Sequence, residues 1–279
     1  GSNYVHGDSD IFVVEACEYR DHLLELAPRV LVITNLEWDH TDYFPSVAAL
    51  QETFRKAIAR VPADGAIVTN PKDANIAPLL AAARARVIDY TKEPNYELRL
   101  PGEFNVMNAR AAASAARAAF PEVKDTTIYG SISDFQGTWR RFEYKGKTKN
   151  GADVYDDYAH HPTAVKATLE ALRAKSKGKI IVAFHPHLYS RTRDLLDEFA
   201  TAFSAADQVL IAPIYAAREA DDGSISSSIL AERIRAAGTD ATALSFDAIE
   251  KALGGAGAGD TVITMGAGDI YKVADRLVV

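Results

Sequence analysis

The chain has 279 residues, of which 48% are hydrophobic, 25% charged and 9% aromatic, and 31 basic against 38 acidic side chains give a formal net charge of −7. This composition excludes an intrinsically disordered protein, and a single cysteine excludes a scaffold held by disulfides. The acidic excess disfavours nucleic-acid binding, and no apolar run approaches the roughly 20 residues of a membrane helix, so we expect a cytoplasmic protein with a small-molecule substrate.

Short β-rich runs alternate with helical patterns along the whole chain, which is typical of parallel sheets with crossover helices. The β-rich runs predict strands over residues 11–15, 30–34, 66–69, 86–89, 154–156, 180–184, 209–212 and 262–265. Apolar residues at 3.6-residue spacing predict helices over residues 47–61 and 165–172. The predicted fold class is therefore α/β.

The segment 135–149 interrupts this alternation, because it is polar and contains Gly137 and Gly146. It predicts a hinge followed by a hairpin. A chain of this length is near the upper limit for one hydrophobic core, which favours two domains. We place the boundary near Trp139 and expect one domain over residues 1–139 and another over residues 140–279.

Polar side chains follow the ends of several predicted strands. Glu15 ends the first, Asp39 and His40 lie just after the second, and the segments VYDDYAHHP, FHPHLYSRTRD and MGAGD include or follow later strands. Ligands of open α/β sheets bind beyond the carboxyl ends of the strands. We therefore expect a site built from these segments.

The HHP segment predicts the start of a helix, because Pro162 fits the first helical turn. His160 and His161 then lie at a strand-to-helix crossover, beside the positive end of the helix. Arg191 and Arg193 precede an apolar helical stripe, where an arginine can bind a carboxylate or phosphate.

For Arg193 an equally good interpretation is a surface ion pair with Asp194 or Asp197. Cys17 lies between Glu15 and Glu18, and negative neighbours disfavour a reactive thiolate. We therefore expect Cys17 to be a small buried apolar residue.

The histidines at 160–161 and 185–187, with the aspartates at 156–157, leave a zinc or two-metal hydrolase as an alternative. Neither histidine pair has the i, i+4 spacing of a helical HExxH site. The proline between the second pair also predicts a turn, which favours ordinary loop histidines.

In chain order, seven segments resemble the Mur ligase family. They are EACEYRDHLLEL from Glu15, VITNLEWDHTDYF from Val32, LPGEFNVMNARAA from Leu100, FQGTWRRF from Phe135, VYDDYAHHPTAV from Val154, FHPHLYSRTRDL from Phe184 and MGAGDI from Met265. The resemblance implies an incomplete P-loop-NTPase-like central domain followed by a Rossmann-like C-terminal domain. The family's GTxGKT loop and its UDP-sugar domain do not occur in this sequence, so it also implies a fragment that is inactive by itself.

The family joins an amino acid to a sugar carboxylate through an acyl phosphate made from ATP with Mg2+. The motifs are most similar to the branch that uses UDP-N-acetylmuramate and L-alanine in peptidoglycan synthesis. A related branch attaches whole peptides to the same sugar. A non-catalytic binding module derived from the family is a further alternative.

The resemblance also assigns residues to roles. Glu15 and His40 match the magnesium site, and His160 and Arg191 match residues near the incoming amino acid, with Arg191 on its carboxylate. Matches to nucleotide contacts are Asn105 and Asn108 near the start of a helix, Arg141 at the hinge, and Asp157 with Tyr158. Helix capping is the alternative role for both asparagines, and the resemblance leaves Arg140 as a solvated neighbour.

Overall fold

The computed structural model describes residues 4–279 and contains two β-sheets. The first has three parallel strands in the order β1 (Val30–Ile33), β2 (Ala66–Thr69) and β3 (Arg86–Asp89). Helix α1 (Val47–Arg60) joins β1 to β2, and α2 (Glu103–Ala119) packs against the same sheet. A short helix, α3 (Asp125–Asp134), packs on α2 and leads to the second sheet.

The second sheet has six strands in the order β4-β5-β9-β6-β7-β8. Its strands are β4 (Glu143–Lys147), β5 (Asp153–Asp157), β6 (Ile180–Phe184), β7 (Gln208–Ile211), β8 (Asp240–Ala243) and β9 (Thr261–Met265). Only β4 among them is antiparallel to its neighbour. The carboxyl ends of the five parallel strands therefore meet at one edge, where ligands of such sheets bind.

Helices cover both faces of the second sheet. They are α4 (Pro162–Lys175), α5 (Tyr189–Asp194), α6 (Leu196–Ala202), α7 (Ser227–Ala236), α8 (Phe246–Gly254) and α9 (Tyr271–Leu277). Apolar residues of α4, α6 and α7 form the core on one face, and those of α8 and α9 form the core on the other. This doubly wound arrangement confirms the α/β class and the Rossmann-like second half.

Most of the strand predictions are confirmed. Strands β2, β3 and β6 have the predicted bounds, and β1, β5, β7 and β9 differ from prediction by one residue at one or both ends. The predicted hairpin is formed by β4 and β5. Strand β8 was not predicted, because Asp-Ala-Thr-Ala has no β-branched apolar residue.

The predicted strand over residues 11–15 is wrong. This run is irregular, and its apolar side chains are exposed, with Phe12 at 73% and Val13 at 89%. High β-propensity forms a strand only where a partner strand pairs with it, and no residue of 4–279 pairs with this run. Cys17 in the same region is exposed, so its predicted burial is also wrong.

No helix within residues 4–279 has both the length and the apolar character that crossing a membrane requires.

Candidate functional site

The segment between β1 and α1 reaches across to the second sheet. Trp38 packs against the core of that sheet, and its indole Nε1 donates to the Phe44 carbonyl at 2.9 Å. The Trp38 carbonyl lies 3.2 Å from Nε2 of His161, at the start of α4. The predicted crossover position of His161 is confirmed, since His161 is the N-cap and Pro162 the first helical residue. The two halves of the chain are therefore in contact at the carboxyl ends of β1 and β5.

Four side chains from three segments meet at this contact, and we call them the Asp39 cluster: Asp39, His160, His187 and Arg191. Arg191 is buried, and its Nε donates to Oδ1 of Asp39 at 2.6 Å. Nη1 of Arg191 donates to the carbonyl of His187 at 3.0 Å and to its Nδ1 at 3.1 Å. His160 Nε2 lies 3.9 Å from Oδ2 of Asp39. The structure thus brings together the predicted pair His160 and Arg191.

His160 is held as a neutral imidazole. Its Nδ1 lies 3.0 Å from the Tyr158 carbonyl, which can only accept, so Nδ1 has the proton and Nε2 has the free lone pair. Burial, and then the charge of Arg191, lowers the pKa of His160 to about 4. At neutral pH the site therefore presents an uncharged nitrogen acceptor.

His187 was predicted to be an ordinary loop histidine, and the structure makes it a partner of Arg191. Because the guanidinium donates to Nδ1, the proton of His187 is on Nε2. Its ring stacks on Tyr215, with centroids 5.4 Å apart. Burial, followed by the charge of Arg191, lowers the pKa of His187 to about 3.

The predicted metal pair, Glu15 and His40, is not brought together by any hydrogen bond or ion pair in the described chain. Glu15 is exposed, whereas Nε2 of His40 lies 3.2 Å from a carboxylate oxygen of Glu18. The hydrogen bond from His40 lowers the pKa of Glu18. Nδ1 of His40 is buried without a partner in residues 4–279. Mg2+ prefers oxygen ligands, so this donor set does not fit the ion.

Across residues 4–279, no three His, Cys, Asp or Glu side chains are arranged to hold a metal ion. The hydrolase alternative gains no support from this arrangement. The histidine at 185 lies instead between two aromatic rings, with its centroid 5.6 Å from that of Tyr215 and 5.1 Å from that of Phe246.

The two hinge arginines have opposite environments. Arg140 was expected to be solvated, and this expectation is wrong, since it is 3% exposed and its Nε donates to Asp156 at 2.7 Å. A positive φ of 59° turns its side chain inward, where it also donates to the carbonyls of Gly266 and Gly268. Arg141 is exposed, and its guanidinium lies 5.3 Å from the centre of the Tyr158 ring.

The side chain of Asp157 is buried. Its carboxylate accepts from the backbone N–H groups of Ala159 and Phe142, at 2.7 and 3.0 Å, and from the hydroxyl of Thr168 at 3.2 Å. Burial raises the pKa of Asp157 to about 6. Tyr158 is half-buried. Asp157 therefore shapes the end of β5, and its predicted nucleotide contact stays a prediction.

The two asparagines of α2 lie at its first turns. Asn105 donates to the Pro101 carbonyl at 2.7 Å, which agrees with the alternative role in the turn before the helix. Asn108 is exposed and makes no side-chain hydrogen bond within residues 4–279. Its amide is therefore available to a ligand.

A second ion pair between the two halves was not predicted. Arg218, in the loop after β7, donates through Nε and Nη2 to the two oxygens of Asp42 at 2.7 and 2.8 Å. The guanidinium lies 4.2 Å from the centre of the Tyr19 ring, and the Tyr19 hydroxyl also donates to Asp42. Asp39 and Asp42 both belong to the DHTD segment after β1, but the sequence contains no signal for partners so distant in the chain.

Comparison with known proteins assigns the family. Residues 2–99 match the model of the Mur ligase middle domain, and residues 140–268 match that of the Mur ligase glutamate ligase domain. A UDP-N-acetylmuramate–L-alanine ligase of Clostridium botulinum is 38% identical over 98% of this chain, and the chain spans 65% of that relative's length.

Solved structures show the same fold. The UDP-N-acetylmuramate-alanine ligase of Thermotoga maritima has a TM-score of 0.67 and 22% identity, covering 92% of this chain and 60% of that one. A bifunctional folylpolyglutamate synthase/dihydrofolate synthase of Yersinia pestis, complexed with AMPPNP and a Mn ion, has a TM-score of 0.62 and 18% identity over 91% of this chain and 62% of that one. With two family models matching in order and a close curated relative, the chain belongs to the Mur ligase family.

Proposed function

We propose that this chain is the central and C-terminal part of an ATP-dependent ligase that joins L-alanine to UDP-N-acetylmuramate in cytoplasmic peptidoglycan synthesis. The printed name of the 38% identical relative supports the substrates. We assign residues 1–139 to the central domain and 140–279 to the C-terminal domain. This division is supported by the two sheets, since each takes all its strands from one of these ranges.

The proposed reaction has two steps. A carboxylate is a poor electrophile, so transfer of the terminal phosphoryl group of ATP first converts the muramoyl carboxylate to an acyl phosphate and ADP. The neutral amine of L-alanine then attacks the acyl carbon, and phosphate leaves. The nitrogen must lose a proton as the amide forms, so the site needs an acceptor near the amine.

The observation that supports this assignment best is the neutral imidazole of His160 beside the guanidinium of Arg191. Nε2 of His160 is free to accept a proton from the amine, and Nδ1 is fixed by the Tyr158 carbonyl. Arg191 has its Nε and Nη1 occupied, which leaves Nη2 for the carboxylate of the amino acid. We assign proton acceptance to His160 and carboxylate binding to Arg191.

ATP is the proposed cofactor, and the Yersinia pestis neighbour is a fold relative that binds an ATP analogue. We assign Asn108 and Arg141 to nucleotide contacts because both side chains are exposed and have no ion-pair or hydrogen-bond partner in the described chain. Asn105, Asp157 and Tyr158 remain predicted contacts. A divalent ion, magnesium by prediction, would neutralise phosphate charge. The resemblance assigns Glu15 and His40 to it, but the donors around His40 in this structure do not fit Mg2+.

The test is phosphate release by the ligase at its full family length, with ATP, UDP-N-acetylmuramate and L-alanine. We expect His160→Ala to lower kcat by about 100-fold or more, because general bases contribute roughly 10²–10⁴-fold. His22→Ala is the control, since His22 is exposed and outside the cluster. An undiminished kcat for His160→Ala would remove the assigned role, and failure of the wild type to use L-alanine would remove the proposed substrate.

A further inference from the structure

Asp39 has two carboxylate oxygens with different surroundings. Oδ1 accepts from Arg191 Nε at 2.6 Å and from the backbone N–H of His40 at 2.7 Å. Oδ2 accepts no hydrogen bond from residues 4–279 and faces Nε2 of His160 at 3.9 Å. Because a guanidinium is always charged, the 2.6 Å contact between Arg191 Nε and Oδ1 is an ion pair, and Asp39 is present as a carboxylate.

The gap between Oδ2 of Asp39 and Nε2 of His160 is suited to a cationic donor. Nε2 has a lone pair rather than a proton, so two acceptors face each other without a donor between them. A nitrogen about 2.9 Å from both atoms would donate one N–H to each. A primary ammonium has the required donors and the charge that complements Asp39.

Arg191 has unused N–H groups beside this gap. Three of its five N–H groups are used, one by Asp39 and two by His187, and the two on Nη2 have no partner within residues 4–279. Arg191 is 2% exposed, so its guanidinium cannot reorient freely. The carboxylate of Asp39 thus holds Arg191 through Oδ1, while its Oδ2 can accept a hydrogen bond from an amine.

We propose that Asp39 is a substrate-positioning residue, which holds Arg191 for the carboxylate of the incoming α-amino acid and receives its ammonium jointly with His160. This inference rests on the proposed function, because it takes the amino acid to bind at this cluster. Asp39 belongs to the first half of the chain, whereas His160 and Arg191 belong to the second. The amino-acid site is therefore complete only when the two halves are in contact.

The Asp42–Arg218 pair provides a matched control. It also joins the two halves through an aspartate of the same segment, but it contacts neither His160 nor Arg191. If Asp39 served only to join the halves, loss of either aspartate would have a similar effect. If Asp39 positions substrate, only its loss would weaken binding of the amino acid.

The first experiment compares Asp39→Asn and Asp42→Asn in the ligase at full family length. We expect Asp39→Asn to raise KM for L-alanine about tenfold or more, while KM for ATP stays within about twofold. We expect Asp42→Asn to leave both KM values within about threefold. An unchanged KM for L-alanine in Asp39→Asn, or equal increases in both variants, would overturn the proposal.

The second experiment uses this chain alone and does not depend on activity. The Nε–H proton of Arg191 is buried against Asp39, so its NMR signal should exchange slowly with solvent in wild type and in Asp42→Asn. We expect Asp39→Asn to make that exchange faster by about tenfold or more. Unchanged exchange in Asp39→Asn would refute the positioning of Arg191 by Asp39, whichever substrate the ligase uses. If only the proposed function were wrong, the faster exchange in Asp39→Asn would still be observed.

Discussion

Arg140 shows how one buried arginine can organise a hinge. Its guanidinium donates to Asp156 and to the carbonyls of Gly266 and Gly268, and so joins the hinge to β5 and to the loop after β9. The hydroxyl of Thr264 donates to the other oxygen of Asp156. Burial raises the pKa of Asp156, and the hydrogen bond from Arg140 opposes that increase.

We predict that Arg140→Met lowers the free energy of unfolding by about 3–5 kcal/mol, because it leaves a buried carboxylate unpaired. Arg141→Met is the control, with an expected change within about 0.5 kcal/mol, since the Arg141 side chain is exposed and makes no hydrogen bond in residues 4–279. Urea unfolding measures both. Adding Asp156→Asn to Arg140→Met should recover part of the loss, and equal effects of the two arginine variants would contradict the prediction.

Which of two adjacent arginines turns inward could not be predicted from the sequence. The difference depends on a positive φ at Arg140 and on acceptors that lie 16 to 128 residues away. The same limit applies to Asp39, whose partner Arg191 is 152 residues distant. Residue types at strand ends could be identified from the sequence, but their pairing depends on the tertiary structure.

Elements were predictable where burial and sequence pattern agree. All four residues of β2 are buried, and its run Ala-Ile-Val-Thr is short and apolar, as buried parallel strands require. The run Ile-Phe-Val-Val near the N-terminus has higher propensity, but it has no pairing partner in residues 4–279 and forms no strand. Conversely, β8 has weak propensity and forms because it pairs with β7.

Helix α1 offers a test at the scale of the element. Its N-cap is Ser46, whose Oγ accepts from the backbone N–H of Ala49 at 3.2 Å. Ser46 is the last residue of the segment that contains Asp39 and Asp42, so the cap also fixes the residue after which the chain becomes helical. We predict that Ser46→Ala lowers the free energy of unfolding by about 1 kcal/mol, measured by urea unfolding.

Ser46→Asp is the matched variant for this cap. An aspartate oxygen can accept the same N–H, and its charge interacts favourably with the positive end of the helix. It should retain stability close to that of wild type. Equal losses in the alanine and aspartate variants would show that the cap hydrogen bond does not stabilise α1.

At the scale of the whole molecule, the two halves meet through ion pairs and histidines as well as through apolar packing, such as that of Trp38 on the core of the second sheet. The pairs Asp39–Arg191 and Asp42–Arg218 cross the contact, and His161 contacts the Trp38 carbonyl. The stability of such a contact depends on pH. As the pH falls, histidines of the unfolded chain bind protons, whereas imidazoles enclosed in the folded protein stay uncharged.

The direction of the pH effect follows from the pKa shifts. Burial is the main cause that lowers the pKa of His160 and His185 to about 4 and of His187 to about 3. When the pKa of a histidine is lower in the folded than in the unfolded protein, its contribution to the free energy of unfolding is complete above the unfolded pKa near 6.5. The contribution is lost as the pH falls from 6.5 towards 4, because the unfolded chain then binds protons that the folded protein does not. Asp157 acts oppositely, because burial raises its pKa to about 6 and favours the folded state as pH falls below that value.

The three histidines with a lowered pKa outweigh the two aspartates with a raised pKa, Asp156 and Asp157, so we predict that the free energy of unfolding falls by about 3 kcal/mol between pH 7 and pH 5. Urea unfolding at both pH values measures the change. His185→Asn should reduce this pH dependence, because it removes one buried imidazole from outside the Asp39 cluster, whereas His22→Asn changes an exposed ring and should leave it as in wild type. Equal stability at pH 7 and pH 5, or the same pH dependence in both variants, would contradict the prediction, because it would show that folding does not lower the pKa of these histidines.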